Sequence, residues 1–243
     1  MTIRIATWNL EWAKPGTERH ARALAQLSDL DADVVVTTED STHEWAEYPY
    51  RIDAGPDWGY PRKGKRRKVI AWSRTPWTGR MELEASASRG RFVGGVVHLD
   101  GLPVTVLAVC IPWRDAHVRT GRRDAAVWAE HLEFCAALRP AASMTVAAGL
   151  TVVAGDFNQR IPRTRQPPNV ASALVDALGP LQVPTAGDHA VGRLIDHVAV
   201  TPAMTVLDVT AWSNVLDGQR LSDHAGVAVT LDLPPMSHAG GSL

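Results

Sequence analysis

Gly155-Asp156-Phe157-Asn158 sets a carboxylate and a carboxamide two positions apart, directly after the uncharged run Thr151-Val152-Val153-Ala154. Such a run suits a strand buried on both faces, so the acid and the amide leave its C-terminal end on the same side. In mixed sheets that edge is where loops gather into clefts and where chemistry is commonly placed. The competing reading is an Asp/Asn turn, because both side chains hydrogen-bond nearby backbone. What separates the two is whether other strands end in the same way. Asn9 closes the alternating stretch Ile3–Asn9, Glu39 closes Asp33–Glu39, Asp196 lies in Leu194–Val200, and Asp223-His224 stand at the junction before Ala225–Leu231.

If these ends converge, Glu39, Asp156, Asp196 and Asp223 share one pocket. Two such charges ~4 Å apart repel by about 4 kcal/mol at an effective dielectric near 20. A cluster of carboxylates and amides, with no cysteine pair, calls for a hard divalent cation: Mg²⁺, with Mn²⁺ as a substitute, rather than zinc. Strand parity separates Asp196 from His197, since successive side chains point to opposite faces. Asp196 is the one assigned to the cleft, where it would orient His224, and His197 is read as a structural histidine on the other face.

The elements that must position these groups follow from periodicity and punctuation. Pro15-Gly16-Thr17-Glu18 opens a helix with Thr17 as N-cap and Ala21, Leu24 and Ala25 on one face. Arg62-Lys63-Gly64-Lys65-Arg66-Arg67-Lys68 precedes the strand Val69–Trp72. It reads either as a solvated hairpin loop or as a phosphate-gripping arm, with Arg66 and Arg67 as substrate contacts. Met81–Ala87, Gly90–Asp100 and Leu102–Ile111 read as an antiparallel meander. A helix is expected over Thr120–Leu138, with Ala125, Trp128, Leu132, Cys135 and Leu138 on one stripe and Arg139-Pro140 ending it. Gln159–Asn169 reads as a loop, Val170–Leu178 as a short helix and Met204–Trp212 as a strand.

Composition is that of an ordinary globular protein: 243 residues, 45% hydrophobic, 21% charged and a net charge of −1. Attraction to phosphates must therefore be local. Two cysteines, Cys110 and Cys135, fit a reducing compartment. With no apolar run near the ~20 residues of a bilayer span, and no basic and then apolar leader, a cytoplasmic location is expected. No linker divides the chain, so a single domain over 1–233 is expected, with a flexible tail over 234–243.

Thr7-Trp8-Asn9, Glu39 at a strand end, Gly155-Asp156-Phe157-Asn158, Ile195-Asp196-His197 and Ser222-Asp223-His224 occur in an order that resembles the endonuclease/exonuclease/phosphatase superfamily, with its deoxyribonuclease-I-like fold. The resemblance implies an α/β (α+β) four-layered sandwich, in which two packed mixed sheets are flanked by helices. It implies metal-dependent hydrolysis of a phosphoester, with nucleic acid as a candidate substrate. It also implies roles: Glu39 binds the metal with help from Asn9, Asp156 orients or deprotonates the attacking water, and Asn158 holds the phosphate or that water. His224, oriented by Asp196, contacts the phosphate, and Asp223 assists the metal or the histidine.

Three departures stand out. Cys110 occupies the strand end where this family commonly has a His or Tyr donor to the phosphate, and a thiol donates poorly. Cys110 is read as a small core residue, with Arg114 taking the donor's place and His117 as the other candidate. Thr38 stands where a glutamine often precedes the acidic ligand. Gly192-Arg193-Leu194-Ile195 lacks the aromatic flank of abasic-site repair enzymes, which argues against that specialisation. The expected activity is a phosphodiesterase or nuclease. The alternatives are a phosphomonoesterase and a binding protein that has lost turnover. Oligomeric state is not readable from the sequence.

Overall fold

A computed structural model describes residues 2–235, in which two mixed sheets pack face to face. In chain order the elements begin with β1 (Thr2–Asn9), α1 (Glu18–Ser28), β2 (Val34–Ser41), β3 (Tyr50–Asp53), β4 (Arg66–Ser73) and β5 (Trp77–Met81). They continue with β6 (Phe92–Leu99), β7 (Leu102–Cys110), α2 (Ala129–Ala148), β8 (Leu150–Asp156), α3 (Pro168–Leu178), β9 (Asp196–Val200) and β10 (Thr205–Trp212). The small hairpin β11 (Val215–Leu216) and β12 (Gln219–Arg220) leads to β13 (Gly226–Asp232). One sheet runs β10-β13-β1-β2-β4-β3 and the other β5-β6-β7-β8-β9. Each holds one parallel pair, β1 with β2 and β7 with β8, among antiparallel neighbours.

Alternation along the strands builds the layers. Ile3, Ile5, Val34, Val36, Val106, Ala108, Val152, Ala154, Val198 and Val200 form the core between the sheets. Trp8, Val35, Ile70 and Trp72 face outward beneath α1, with Ala23 and Leu27. Leu107, Val109, Val153 and Ala199 face α2 and α3 on the opposite side. The result is helix, sheet, sheet, helices: the expected four-layered sandwich. Among the described residues no helix is long and apolar enough to cross a membrane. Of the tail expected from Pro234, residues 236–243 lie outside the described residues.

Several expected boundaries are corrected. The long helix is Ala129–Ala148, not Thr120–Leu138. Residues 120–128 form a loop tied down by His117, whose Nδ1 accepts from Arg122 N (3.0 Å), and by Arg114 O, which accepts from Trp128 N (2.8 Å). Trp128 enters the helix at φ 67. Pro140 does not end the helix. Both Pro140 and Ala136, the residue whose carbonyl loses its partner, are exposed, so water can satisfy that carbonyl. Met81–Ala87 is not a strand. Pairing ends at Met81, and the chain closes into a single 3₁₀ turn, Ser86–Ser88, where Ser88 Oγ donates to Ala85 O. Strand β3 was not anticipated, and the basic run is not wholly loop, because Arg66, Arg67 and Lys68 belong to β4.

Candidate active site

The polar cluster is the end of the inter-sheet core. Asn9, Cys110, Asp156 and Asp196 continue the inward-facing series of β1, β7, β8 and β9, so the rows that supply apolar side chains along the core supply the site where the sheets open. Cys110 pairs with Asp156, which pairs with Asp196. Gly155 makes this register possible. A Cβ there would lie 1.9 Å from Val109 O, and its φ is +139. Only glycine lets β7 approach β8 this closely.

Asp156 is buried and receives three hydrogen bonds: from Asn158 N to Oδ1 (2.8 Å), and from Asn158 Nδ2 (3.0 Å) and Asn9 Nδ2 (3.2 Å) to Oδ2. Asn158 is itself at φ 53, and its Nδ2 also donates to Ile111 O (2.8 Å). The expected turn and the expected site are thus one structure, an Asx turn that aims its carboxylate. The loop before β13 is fixed from β1. Ser222 Oγ donates to Asn9 O (2.6 Å), His224 N donates to Ser222 Oγ (3.1 Å), and Trp8 Nε1 donates to His224 O (2.7 Å). That anchoring brings His224 Nδ1 to 2.5 Å from Asp196 Oδ2. One ligand atom each from Asp156, Asp196 and His224 lies within 4.8 Å of the others.

Charge follows from this packing. Burial alone lowers the pKa of His224, but the Asp196 carboxylate, with Asp156 and Asp223 nearby, raises it to about 10, so the ring is an imidazolium at neutral pH. Burial pushes Asp156 up to about 7. His224 pulls it down, and Asp196 and Glu39 push it further up. Oδ1 of Asp196 is buried without a partner. The site therefore keeps one buried carboxylate oxygen open to a further cation. Its donors on the Glu39 side are oxygens, the chemistry a hard divalent cation requires, so the residues fit such an ion.

Glu39 reaches the cleft through a strained backbone. It sits at φ 49, and Asp40 beyond it shares the face of Thr37, whose Oγ1 donates to Asp40 Oδ2 (2.8 Å). Strict alternation would place residues 37 and 40 on opposite faces. The left-handed residue reverses the parity and turns Glu39 to Lys68, whose Nζ donates to Glu39 Oε1 (2.5 Å). Such a conformation costs a non-glycine residue about 1–2 kcal/mol.

Two cavities adjoin this centre. The first, of about 310 Å³, is lined by Trp12, Trp58, Tyr60, Lys63, Arg66, Lys68, Arg91 and Trp113. Trp12 stacks on Trp58, with Arg66 4.6 Å and Lys68 5.2 Å from its ring centroid. The second, of about 520 Å³, is lined by Asn158, Arg114, Arg160 and Arg165 together with Trp128 and Ile195. The centre is thus flanked by cations on both sides, joined to the first cavity through Lys68 and to the second through Asn158.

The expected residues distribute unevenly. Asn9, Asp156, Asn158, Asp196 and His224 converge, and Asp223 stands half-exposed at the rim, 3.8 Å from His224 Nε2. Glu39 lies across the cleft on Lys68. Arg66 faces the first cavity, whereas Arg67 is held on the other side of β4 by Asp53 (2.6 Å). Arg114 lies on the wall of the second cavity with its side chain largely exposed. His117 is buried, with Nε2 against Trp58 O (3.1 Å) and Nδ1 accepting from Arg122 N, so both ring nitrogens are spent on the loop. His197 lies on the far face against Thr185 and Gln159, as parity required. Cys110 is buried, and burial lifts its thiol to about 12, so it contributes no nucleophile.

Sequence reading missed Lys68 as the partner of Glu39, and it missed Arg91. Arg91 is buried, its Nη2 has no partner, and its carbonyl accepts from Cys110 N (2.9 Å). A signal was available. The Asp100-Gly101 turn pairs Leu99 with Leu102, and the same register carried along β6 and β7 sets Arg91 opposite Cys110. The cation beside the unusual cysteine comes from the neighbouring strand, not from the following loop.

A family model described as the endonuclease/exonuclease/phosphatase family matches residues 6–224. Among solved structures, an endonuclease/exonuclease/phosphatase from Beutenbergia cavernae aligns with a TM-score of 0.66 at 20% identity, over 96% of this chain and 72% of that one. An AP endonuclease from Archaeoglobus fulgidus aligns with a TM-score of 0.69 at 16% identity, over 95% and 100%. A 3′ phosphatase from Neisseria, bound to product DNA hairpin, aligns with a TM-score of 0.68 at 19% identity, over 95% and 99%. No curated protein sequence matches the chain.

Proposed function

Because the chain belongs to the endonuclease/exonuclease/phosphatase family, whose members are divalent-metal-dependent hydrolases of phosphoester bonds, we propose that it is a phosphodiesterase acting on nucleic acid. The observation that carries this reading is the pair of cation-lined cavities on either side of the Asp156 and His224 centre. A polyanion can engage both at once, whereas a small phosphomonoester fills only one. In the first cavity Trp113 and Tyr60 offer ring surface for a base, and Lys63, Arg66 and Arg91 offer charge for its phosphates. In the second, Arg114, Arg160 and Arg165 would receive the chain beyond the scissile bond.

Asp156, fixed by three hydrogen bonds and lifted toward neutrality, orients the attacking water and accepts its proton. His224, kept charged by Asp196, meets the negative charge that builds on the phosphoryl oxygens. Asn158 directs Asp156 and lines the phosphate site, and Asn9 holds Asp156 from the other sheet. Glu39 and Asn9 would hold a Mg²⁺ or Mn²⁺ ion, with Asp223 at the rim. When bound, that ion supplies neutralisation of the phosphate oxygens.

The reading is tested by incubating the protein with single-stranded DNA, duplex DNA, RNA, a 3′-phosphorylated oligonucleotide and bis(p-nitrophenyl) phosphate, with Mg²⁺ and with EDTA. Internal cleavage or shortening of the polymers, abolished by EDTA, is expected. Release of inorganic phosphate from the 3′ end alone would replace the diesterase reading with a monoesterase, and no turnover on any substrate would overturn both.

A further inference from the structure

A second group of metal-ligating side chains lies beneath α1, outside the site above. His20 comes from α1, Asp40 from the end of β2 and His43 from the loop that follows, and one ligand atom of each lies within 4.8 Å of the others. The cluster is closed from solvent, with His20 at 5% exposure and Asp40 at 0%. Its hydrogen bonding is incomplete. His20 Nε2 and His43 Nε2 are both buried without a partner, and the nearest Asp40 oxygen is 3.9 Å from His20 Nε2. Buried polar atoms in native proteins nearly always find partners, so the orphaned His20 Nε2 beside Asp40, with the His43 ring 4.0 Å from the same carboxylate through Nδ1 and its own Nε2 unpartnered, needs an explanation.

We propose that His20, Asp40 and His43 form a second cation site, for a borderline divalent ion such as Zn²⁺. The supporting bonds are those of a metal centre. His43 Nδ1 lies 2.7 Å from Ser41 O, to which its N–H can donate, leaving Nε2 as the free lone pair. Asp40 is held by Thr37 Oγ1 at Oδ2 and by Ser41 N at Oδ1 (2.6 Å). Metal bonds of about 2.0–2.1 Å in a tetrahedral site separate ligand atoms by roughly 3.3 Å, so the 3.9 Å gap between His20 and Asp40 needs only a small contraction. Two imidazoles with one carboxylate select zinc-like ions over magnesium, which prefers oxygen alone. The fourth position is left for a water.

The placement gives the ion a purpose. Asp40 directly follows Glu39, whose left-handed backbone turns it into the cleft. An ion tying Asp40 to α1 would clamp the strand end that presents Glu39. The inference is independent of the phosphodiesterase reading, since it concerns binding and stability rather than turnover.

The test uses full-length Glu39→Gln protein, which weakens the catalytic metal site, stripped of metal and titrated with Co²⁺ and then Zn²⁺. Uptake of one Co²⁺ with visible absorption of a four-coordinate ion, its displacement by Zn²⁺, and a Tm raised by several degrees with Zn²⁺ are expected. His43→Phe, which keeps a ring against Trp72 and Trp45, is expected to lose the band and the shift. Absence of any Co²⁺ band or Zn²⁺-dependent Tm shift in the Glu39→Gln protein would overturn the proposal. So would the same band persisting in both His43→Phe and His20→Asn.

Discussion

Two groups of aspartate and histidine stand on opposite faces of the β1 sheet, and their histidines differ in charge, one cationic and one neutral. At the mouth of the inter-sheet core, Asp196 meets His224 at 2.5 Å, and the histidine is raised to about 10 although burial alone would lower it. Beneath α1, Asp40 stands 3.9 Å from His20, and burial lowers His20 to about 4. Burial opposes the charged imidazole in both places. The difference is whether a carboxylate oxygen is committed to the ring or to other donors, and Asp40 gives its oxygens to Thr37 and Ser41. A histidine in direct contact with its acid becomes a fixed cation suited to phosphate. One held just out of reach stays a neutral lone-pair donor, suited to a metal.

The largest effects are expected from removing the cationic His224 or the Asp156 carboxylate near it. Asp156→Ala and His224→Ala are each expected to lower kcat/KM on an oligonucleotide by about 10³-fold, the scale of losing a positioned proton acceptor or charge stabiliser. Steady-state cleavage assays, with Tm confirming the fold, check this, and an unaffected variant would move the chemistry elsewhere.

Histidines with no direct carboxylate partner extend the contrast to pH. Burial lowers His131 and His197 to about 4. An unfolded chain takes up these protons near pH 6.5 while the native state refuses them until about pH 4. Their stabilising contribution is therefore complete above pH 6.5 and is lost as pH falls toward 4, by up to roughly 3 kcal/mol per ring. Urea denaturation across that range measures the loss, and a flat profile would contradict the neutral assignment.

Asp196→Asn is a milder change. It keeps the shape but withdraws the charge that holds His224 protonated, and a loss of about 10–100-fold in activity is expected, as for other orienting partners. Imidazole NMR of the variant is expected to show His224 titrating at lower pH than in the parent protein. The smallest effects concern the flanking cations. Arg66→Ala and Arg160→Ala are each expected to weaken oligonucleotide binding several-fold and to reduce its salt slope by about 1. Arg67→Ala, whose side chain is held by Asp53, is expected to do neither.

Much of this centre was legible because it follows from strand parity. Asp156, Asp196 and Asn9 continue apolar rows, so their faces could be read off alternation, and the same argument placed His197 on the far side. The parts that were not legible depend on breaks in that rule. Glu39 reaches the cleft through a left-handed residue, and the alternation of β2 gives no warning of it. Lys68 looked like part of a loop because its charge hid its strand. Arg91 comes from a neighbouring strand and is found only by carrying the hairpin register back to Cys110. Among the helices, Pro140 was misread because its cost depends on whether the freed carbonyl faces water, a tertiary fact.

In the proposed reaction Asp156 and His224 drive metal-dependent cleavage of a polynucleotide held across two basic cavities. The most direct measurement is single-turnover cleavage of a fluorescent oligonucleotide, with the Mg²⁺ concentration varied, by the parent protein and by Asp156→Ala at equal folded concentration. Cleavage that rises with Mg²⁺ in the parent and is lost in the variant, despite retained oligonucleotide binding, is the predicted result. Equal cleavage by the two proteins, or parent cleavage indifferent to EDTA, would contradict it.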